Sequence, residues 1–283
     1  MKNRSFIFTA VVASLLCVSC AKPQTTLSEN ERPFNPPIMG WSSWNAFLVD
    51  ISEDIIKHQA DLMVEKGLKD AGYQYINVDD GYFGKRDENG VMQANEKRFP
   101  NGMKPVADHI HSLGMKAGLY TDAGTRTCGS LWNKDSIGIG AGIYGHEPQD
   151  AQLYFGDWGF DFIKIDYCGG EVLGLDEKER YTSIRNSIDK VNKNVSINIC
   201  RWAYPGTWAK DAATSWRISG DINAHWNSLK YVVGKNLYLS AYAGNGHYND
   251  MDMMVVGFRN NSRVGGNGLT PTEEEAHFGL WCI

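Results

Sequence analysis

Thirteen residues of this chain combine reactive chemistry with a repeated placement: Trp44, Asp79, Asp80, Tyr120, Asp122, Lys164, Asp166, Arg201, Trp202, Arg217, Asp221, Asp250 and Asp252. Each follows or ends a short apolar run. One aspartate in such a place is ordinary, because Asp is favoured in turns. The same placement repeated along the chain describes a ring of carboxylates interleaved with cations and aromatic rings. Paired carboxylates beside aromatic and hydroxyl-binding groups suit glycoside hydrolysis, in which one carboxyl attacks or activates water and the other protonates the leaving oxygen. Divalent metal binding is the competing chemistry, since hard cations take oxygen ligands. Lys164, Arg201 and Arg217 would compete with a metal for those carboxylates, and histidines are scarce at these positions. No metal and no cofactor is therefore expected.

The ring needs a scaffold that aims every run at one end. The runs are "IMGW" (38–41), "YQYINVDD" (73–80), "KAGLYTD" (116–122), "DFIKID" (161–166), "VSINIC" (195–200), "SWRIS" (215–219) and "NDMDMMVVG" (249–257). Helix-like stretches separate them. "SEDIIKHQADLMVEKGLKDAG" opens on Ser52 as a candidate N-cap and runs to about Gly72, and "GMKPVADHIHSLG" stops at Gly114. "AQLYFGDWG" and "EKERYTSIRNSIDKVNK" follow the same pattern. Strand alternating with helix predicts a parallel sheet covered by helices. Seven strands at this spacing fit a (β/α)8 TIM barrel, whose sites lie at the C-terminal strand ends. No GxGxxG follows the first strand, which argues against a dinucleotide fold. The last stretch, "LTPTEEEAHFGLWCI", reads as a helix from about Thr272 with Glu273 to Glu275 in its first turn. The barrel is thus expected to be truncated before its eighth strand, as a fragment of a longer protein.

The 283 residues are 42% hydrophobic, enough for a sizeable core. A net charge of −5 gives no basis for nucleic-acid binding. Residues 1–20 read as an export signal: Lys2 and Arg4, then the apolar "FIFTAVVASLL", then small residues before Cys20. "CVSC" resembles the lipobox of bacterial lipoproteins, with Cys17 where leucine is usual, so Cys20 is the candidate lipidation site and the only membrane link expected is a lipid anchor. Plain secretion with another cleavage point is the alternative. Residues 21–35 form a polar, proline-containing tether, and residues 36–283 the incomplete barrel. An exported location, periplasmic or cell-surface, permits a disulfide among the remaining cysteines.

Six segments taken in order, "PPIMGWSSWNAF", "YINVDDGYF", "GLYTDAGTRTC", "DWGFDFIKIDYC", "WRISGDI" and "NDMDMMVVG", resemble glycoside hydrolase family 27, over roughly residues 34 to 283. That family contains α-galactosidases and α-N-acetylgalactosaminidases. The resemblance implies a (β/α)8 barrel followed by a small C-terminal β-domain, which is lacking here. It also implies a retaining α-galactosidase with Asp166 as nucleophile and Asp221 as acid/base, acting on α-galactoside oligosaccharides or polysaccharides. Lys164 shares a strand face with Asp166, being two residues away, and its ammonium would favour the ionised carboxylate. By residue types alone the pair could equally be a structural ion pair.

The resemblance further implies substrate-binding roles for Trp44, Asp79, Asp80, Tyr120, Lys164, Arg201, Arg217 and Asp252. Asp79 and Asp80 match a pair that binds the 4- and 6-hydroxyls of galactose. Arg201 stands where many members have Glu, near the sugar's 2-substituent, so α-N-acetylgalactosaminidase is one alternative within the family; β-L-arabinopyranosidase, whose members replace the second Asp of the pair by Glu, is the other. A non-catalytic sugar-binding or inactive truncated lipoprotein is the alternative outside it. Cys128 and Cys168 match a family disulfide. Cys200 is expected to be free, because Ala213 stands where its partner would be, and Cys282 likewise.

Overall fold

The structure, a computed structural model, describes residues 36–244, 246–259 and 264–283. The expected signal, Cys20 and the tether lie outside the described residues.

Among the described residues nine strands are formed: β1 (Gly40–Ser42), β2 (Tyr75–Asn77), β3 (Phe83–Arg86), β4 (Met92–Ala94), β5 (Lys116–Asp122), β6 (Phe162–Asp166), β7 (Ser196–Cys200), β8 (Ser215–Arg217) and β9 (Tyr248–Asp250). Seven of them make one sheet in the order β1-β2-β5-β6-β7-β8-β9, every pair parallel. These are the seven apolar runs of the sequence, paired in chain order with helices on the crossovers, which is the arrangement of a (β/α)8-type barrel. The remaining two strands form an antiparallel hairpin that the sequence reading did not anticipate. Its turn signal is "DENG": the Asp87 carboxylate accepts from the Asn89 and Val91 amides, and Gly90 takes φ 79°.

The helices depart from expectation at their ends. Ser52 caps its helix by accepting from the Ile55 amide, but the helix ends at Glu65 rather than near Gly72. Gly67 turns left-handed there, at φ 74°, which breaks the helical hydrogen bonding early. The helix Pro271–Trp281 starts from Thr270, whose hydroxyl and Glu273 carboxylate form a capping box. The helix Trp226–Asn236 was not anticipated, since its cap is the His225 ring accepting from the Ser228 amide. Among the described residues no helix is long and apolar enough to cross a membrane.

The sheet has two buried faces of opposite character. Ile76, Val78, Ala117, Leu119, Ile163, Ile165, Ile197, Ile199 and Trp216 are buried in the hydrophobic core with the flanking helices. The alternate positions carry Asn77, Tyr120, Lys164, Asp166, Asn198, Cys200, Ser215 and Arg217. Asn198 spans three strands on that polar side, donating to Ser215 Oγ at 2.9 Å and Asp250 Oδ2 at 2.8 Å. Gly118 relieves crowding there: a Cβ would lie 1.9 Å from Asn77 Oδ1 and 2.8 Å from the Phe162 ring. Gly118→Ala is therefore expected to destabilise the protein by about 1–3 kcal/mol through overpacking. Urea unfolding checks this, and an unchanged midpoint would contradict it.

Candidate active site

Strand register brings the reactive residues together. Tyr120 pairs with Lys164, Asp122 with Asp166, and Asp166 with Cys200, so the last residues of β5, β6 and β7 stand side by side. Arg217 closes β8 beside Asp250 of β9. Above these ends opens a cavity of about 710 Å³, lined among others by Trp44, Asp79, Tyr120, Lys164, Asp166, Arg217, Asp221 and Asp252.

Lys164 is the cation of one half. Its ammonium donates to Asp79 Oδ2 at 3.0 Å, stands 3.9 Å from Asp166 Oδ2, and lies 5.3 Å from the Tyr120 ring centroid. Burial works against its charge, but Asp79, Asp166 and Cys200 together raise its pKa well above 10.5. Lys164 is thus bound more closely to Asp79 than to Asp166. Asp79 is also fixed by the Ser43 hydroxyl, which accepts from its amide at 2.9 Å. Asp166 is 5% exposed, and its Oδ1 is buried without a hydrogen-bond partner. Burial pushes its carboxyl upward from 3.8, and the Lys164 charge and a Cys200 hydrogen bond oppose that rise without cancelling it.

Arg217 is the cation of the other half. Its Nη2 meets Asp252 Oδ2 at 2.8 Å and Asp221 Oδ1 at 3.0 Å. Arg217 is buried, whereas the Asp221 side chain is 71% exposed at the cavity mouth. Asp252 is more an organiser than a free acid. Its Oδ2 accepts from the Ile222 amide at 2.8 Å, next to Asp221, and its carbonyl accepts from Trp281 Nε1 at 2.7 Å. It holds a left-handed φ of 76°, which Asp tolerates better than most side chains. Burial pushes its carboxyl up to about 6, with Arg217 opposing.

Two expected site residues stand elsewhere. Arg201 does not line the cavity; its Nε donates to Glu177 and its guanidinium lies over the Tyr167 ring. Asp80 does not line it either, and its Oδ2 accepts from the Gly129 amide at 2.8 Å. The strands end at Asn77 and Cys200, and Asp79 and Trp202 lie two residues beyond those ends. Trp202 does line the cavity, at a left-handed φ of 58°. Trp132, Asn133 and Asn223 also line the cavity and carried no sequence signal of that kind.

The loops are tied from beneath. Cys128 and Cys168 form a disulfide, joining the segments after β5 and β6. Cys200 is free and buried, and Cys282 free and exposed. Asp122 accepts from the Gly124 amide at 2.7 Å and the Gly169 amide at 3.0 Å, so a second link spans the same two segments.

Comparison with known proteins places the chain among relatives. Residues 36–283 match the family described as Melibiase_2, alpha galactosidase A. The chain is 38% identical over 296 residues to alpha-galactosidase A of Cellvibrio japonicus, covering 100% of this chain and 67% of that protein. It is 40% identical over 260 residues to an alpha-galactosidase of Cyamopsis tetragonoloba, covering 91% of this chain and 58% of that one. The solved structure of an alpha-galactosidase from Saccharomyces cerevisiae superposes with a TM-score of 0.77 at 32% identity, covering 89% of this chain and 59% of the yeast chain. The chain thus spans somewhat under two thirds of the Cyamopsis and yeast proteins.

The loop tie through Asp80 has a pH signature. Burial pushes this carboxyl up from 3.8 to about 7, the Thr127 hydroxyl and Gly129 amide oppose that, and the charges of Asp79 and Asp135 add to it. The folded protein therefore holds this proton more tightly than the unfolded chain. The stability that the proton contributes is full below about 3.8 and is lost as pH rises towards about 7. Asp80→Asn stays neutral and keeps an oxygen for Gly129. Its stability is expected to fall less steeply with pH than the wild type's across that window, by up to about 1.4 kcal/mol per pH unit. Urea unfolding across the window measures the difference, and parallel curves would contradict it.

Proposed function

The chain belongs to the alpha galactosidase A family, glycoside hydrolase family 27, and on that premise we propose that it hydrolyses terminal non-reducing α-D-galactosyl residues with retention of configuration. The observation that carries the reading is two carboxyls on one cavity, Asp166 in its buried wall and Arg217-bound Asp221 at its mouth. An anomeric carbon bound in the cavity would meet the Asp166 carboxyl that lines it.

In the first step an Asp166 oxygen donates its electron pair to the anomeric carbon. The bond to the leaving oxygen breaks as Asp221 delivers its proton there. In the second step Asp221 removes a proton from water, the water oxygen bonds to the anomeric carbon, and the Asp166 carboxylate departs. Burial that works against charge on Asp166 favours the neutral glycosyl ester over the free carboxylate. Lys164 and Cys200 oppose this and keep the carboxylate attainable.

Asp79 and Lys164 together offer acceptors and donors to vicinal hydroxyls, the pattern that a galactose would meet. Trp44 and Tyr120 supply apolar and aromatic wall. With Arg201 paired to Glu177, Trp202 is the residue after β7 that faces the sugar, and Asp80 serves the loop beneath. Arg217 and Asp252 position Asp221 and the Ile222 backbone. We also propose that the chain works outside the cytoplasm, anchored through Cys20. The Cys128–Cys168 disulfide supports export, since such bonds persist in oxidising compartments.

The test is turnover of aryl α-galactoside, aryl α-N-acetylgalactosaminide and aryl β-L-arabinopyranoside by the wild type and by Asp166→Ala. The α-galactoside is expected to be cleaved fastest by the wild type, with the α-anomer released first by NMR. Asp166→Ala is expected to show no measurable turnover while keeping the wild-type circular dichroism. Preference for another sugar, release of the β-anomer, or activity surviving in Asp166→Ala would overturn the corresponding part of the reading.

A further inference from the structure

Trp132 is 77% exposed, and among the described residues no other tryptophan is exposed. A single exposed apolar side chain is ordinary and by itself implies nothing. Trp132 differs in two respects. It lines the same cavity as Asp166, beside Asn133. It also stands on an unusually fixed base.

The short helix Cys128–Trp132 is capped by Thr127, whose hydroxyl accepts from the Ser130 amide. The Cys128 disulfide ties its first residue to Cys168, and the Gly129 amide donates to buried Asp80. At the far end the Asn133 and Asp135 amides both donate to the Gly129 carbonyl, at 2.9 Å and 3.2 Å. Asp135 pairs with Arg98 at 3.3 Å, and Lys134 adopts a left-handed φ of 59°. A disulfide, a buried carboxylate and a strained lysine thus hold an indole that the described residues leave exposed. Backbone strain of this kind persists where the surroundings impose it.

The position of the ring says what would cover it. Asp166 lies in the buried wall, and Asp221 stands exposed at the mouth. A substrate cleaved between them runs from the interior to the mouth, with its leaving group outermost. Trp132, exposed on the same cavity, lies on that outer side. An indole face takes the apolar C–H face of a pyranose, and a neighbouring amide such as Asn133 takes hydroxyls at its edge. We propose that Trp132 is the stacking platform for the first sugar of the leaving group, so that the preferred substrates are α-galactosyl oligosaccharides rather than galactosides of small alcohols. This rests on the hydrolase reading above.

The experiment compares raffinose, which places a sugar on the leaving side, with α-galactosyl fluoride, which places none. In Trp132→Ala the ratio of kcat/KM for raffinose to that for the fluoride is expected to fall about tenfold, equivalent to about 1.4 kcal/mol. The fall should come mainly from KM for raffinose, and Trp132→Tyr should restore most of it. The ratio cancels any change in the amount of folded protein. A ratio unchanged in Trp132→Ala, with the wild type active on both substrates, overturns the platform alone. A wild type that turns over neither substrate overturns the hydrolase reading and the platform with it.

Discussion

Side chains two apart on a strand point the same way, and the rest of this structure follows from how that rule is used. In most parallel sheets both faces are covered by apolar layers, and the strands read as continuous hydrophobic runs. Here one side of each central strand is Ile, Val, Leu or Ala, packed under the helices, and the other is polar or charged. The polar side holds more carboxylates than cations. Lys164 and Arg217 are shared among Asp79, Asp166, Asp221 and Asp252. Burial with this excess of negative charge raises the carboxyls of Asp122 to about 7 and of Asp252 to about 6. The cost is concentrated at the strand ends, where a site would need it.

The two cations divide the cavity into halves with different work. The Lys164 half is rigid and enclosed: ammonium, Asp79 and the Tyr120 ring fix one another. The Arg217 half reaches outward, with a buried guanidinium holding an exposed Asp221 from one side and Asp252 from the other. Retaining glycoside hydrolysis asks for this asymmetry, since one carboxyl must attack while the other exchanges protons with leaving group and water. Beneath the cavity, Asp80, Asp122 and the Cys128–Cys168 disulfide act on backbone rather than on the cavity itself.

Much of this was legible in the sequence. The seven strands were visible because each apolar run has strand length and ends in polar residues, and the disulfide followed from the family resemblance. What was not legible was local. Arg201 and Asp80 come from the family resemblance, and the structure sets both outside the cavity lining. The helix Trp226–Asn236 was missed because a histidine cap resembles no common N-cap. The early end of the helix after Ser52 turned on one left-handed glycine, Gly67, in a stretch that stays amphipathic beyond it. Trp132 could not have been found at all, because exposure at a cavity rim leaves no period in the sequence.

The central claim is that the Asp166 carboxylate forms a bond to the sugar. A slow fluorinated galactosyl fluoride that lets the glycosyl-enzyme accumulate, followed by proteolysis and mass spectrometry, tests it most directly. The account predicts one added fluorogalactosyl group, on the peptide containing "DFIKIDYC" and on Asp166 within it. A label on any other residue, or steady hydrolysis of that reagent with inversion and no label, would contradict it.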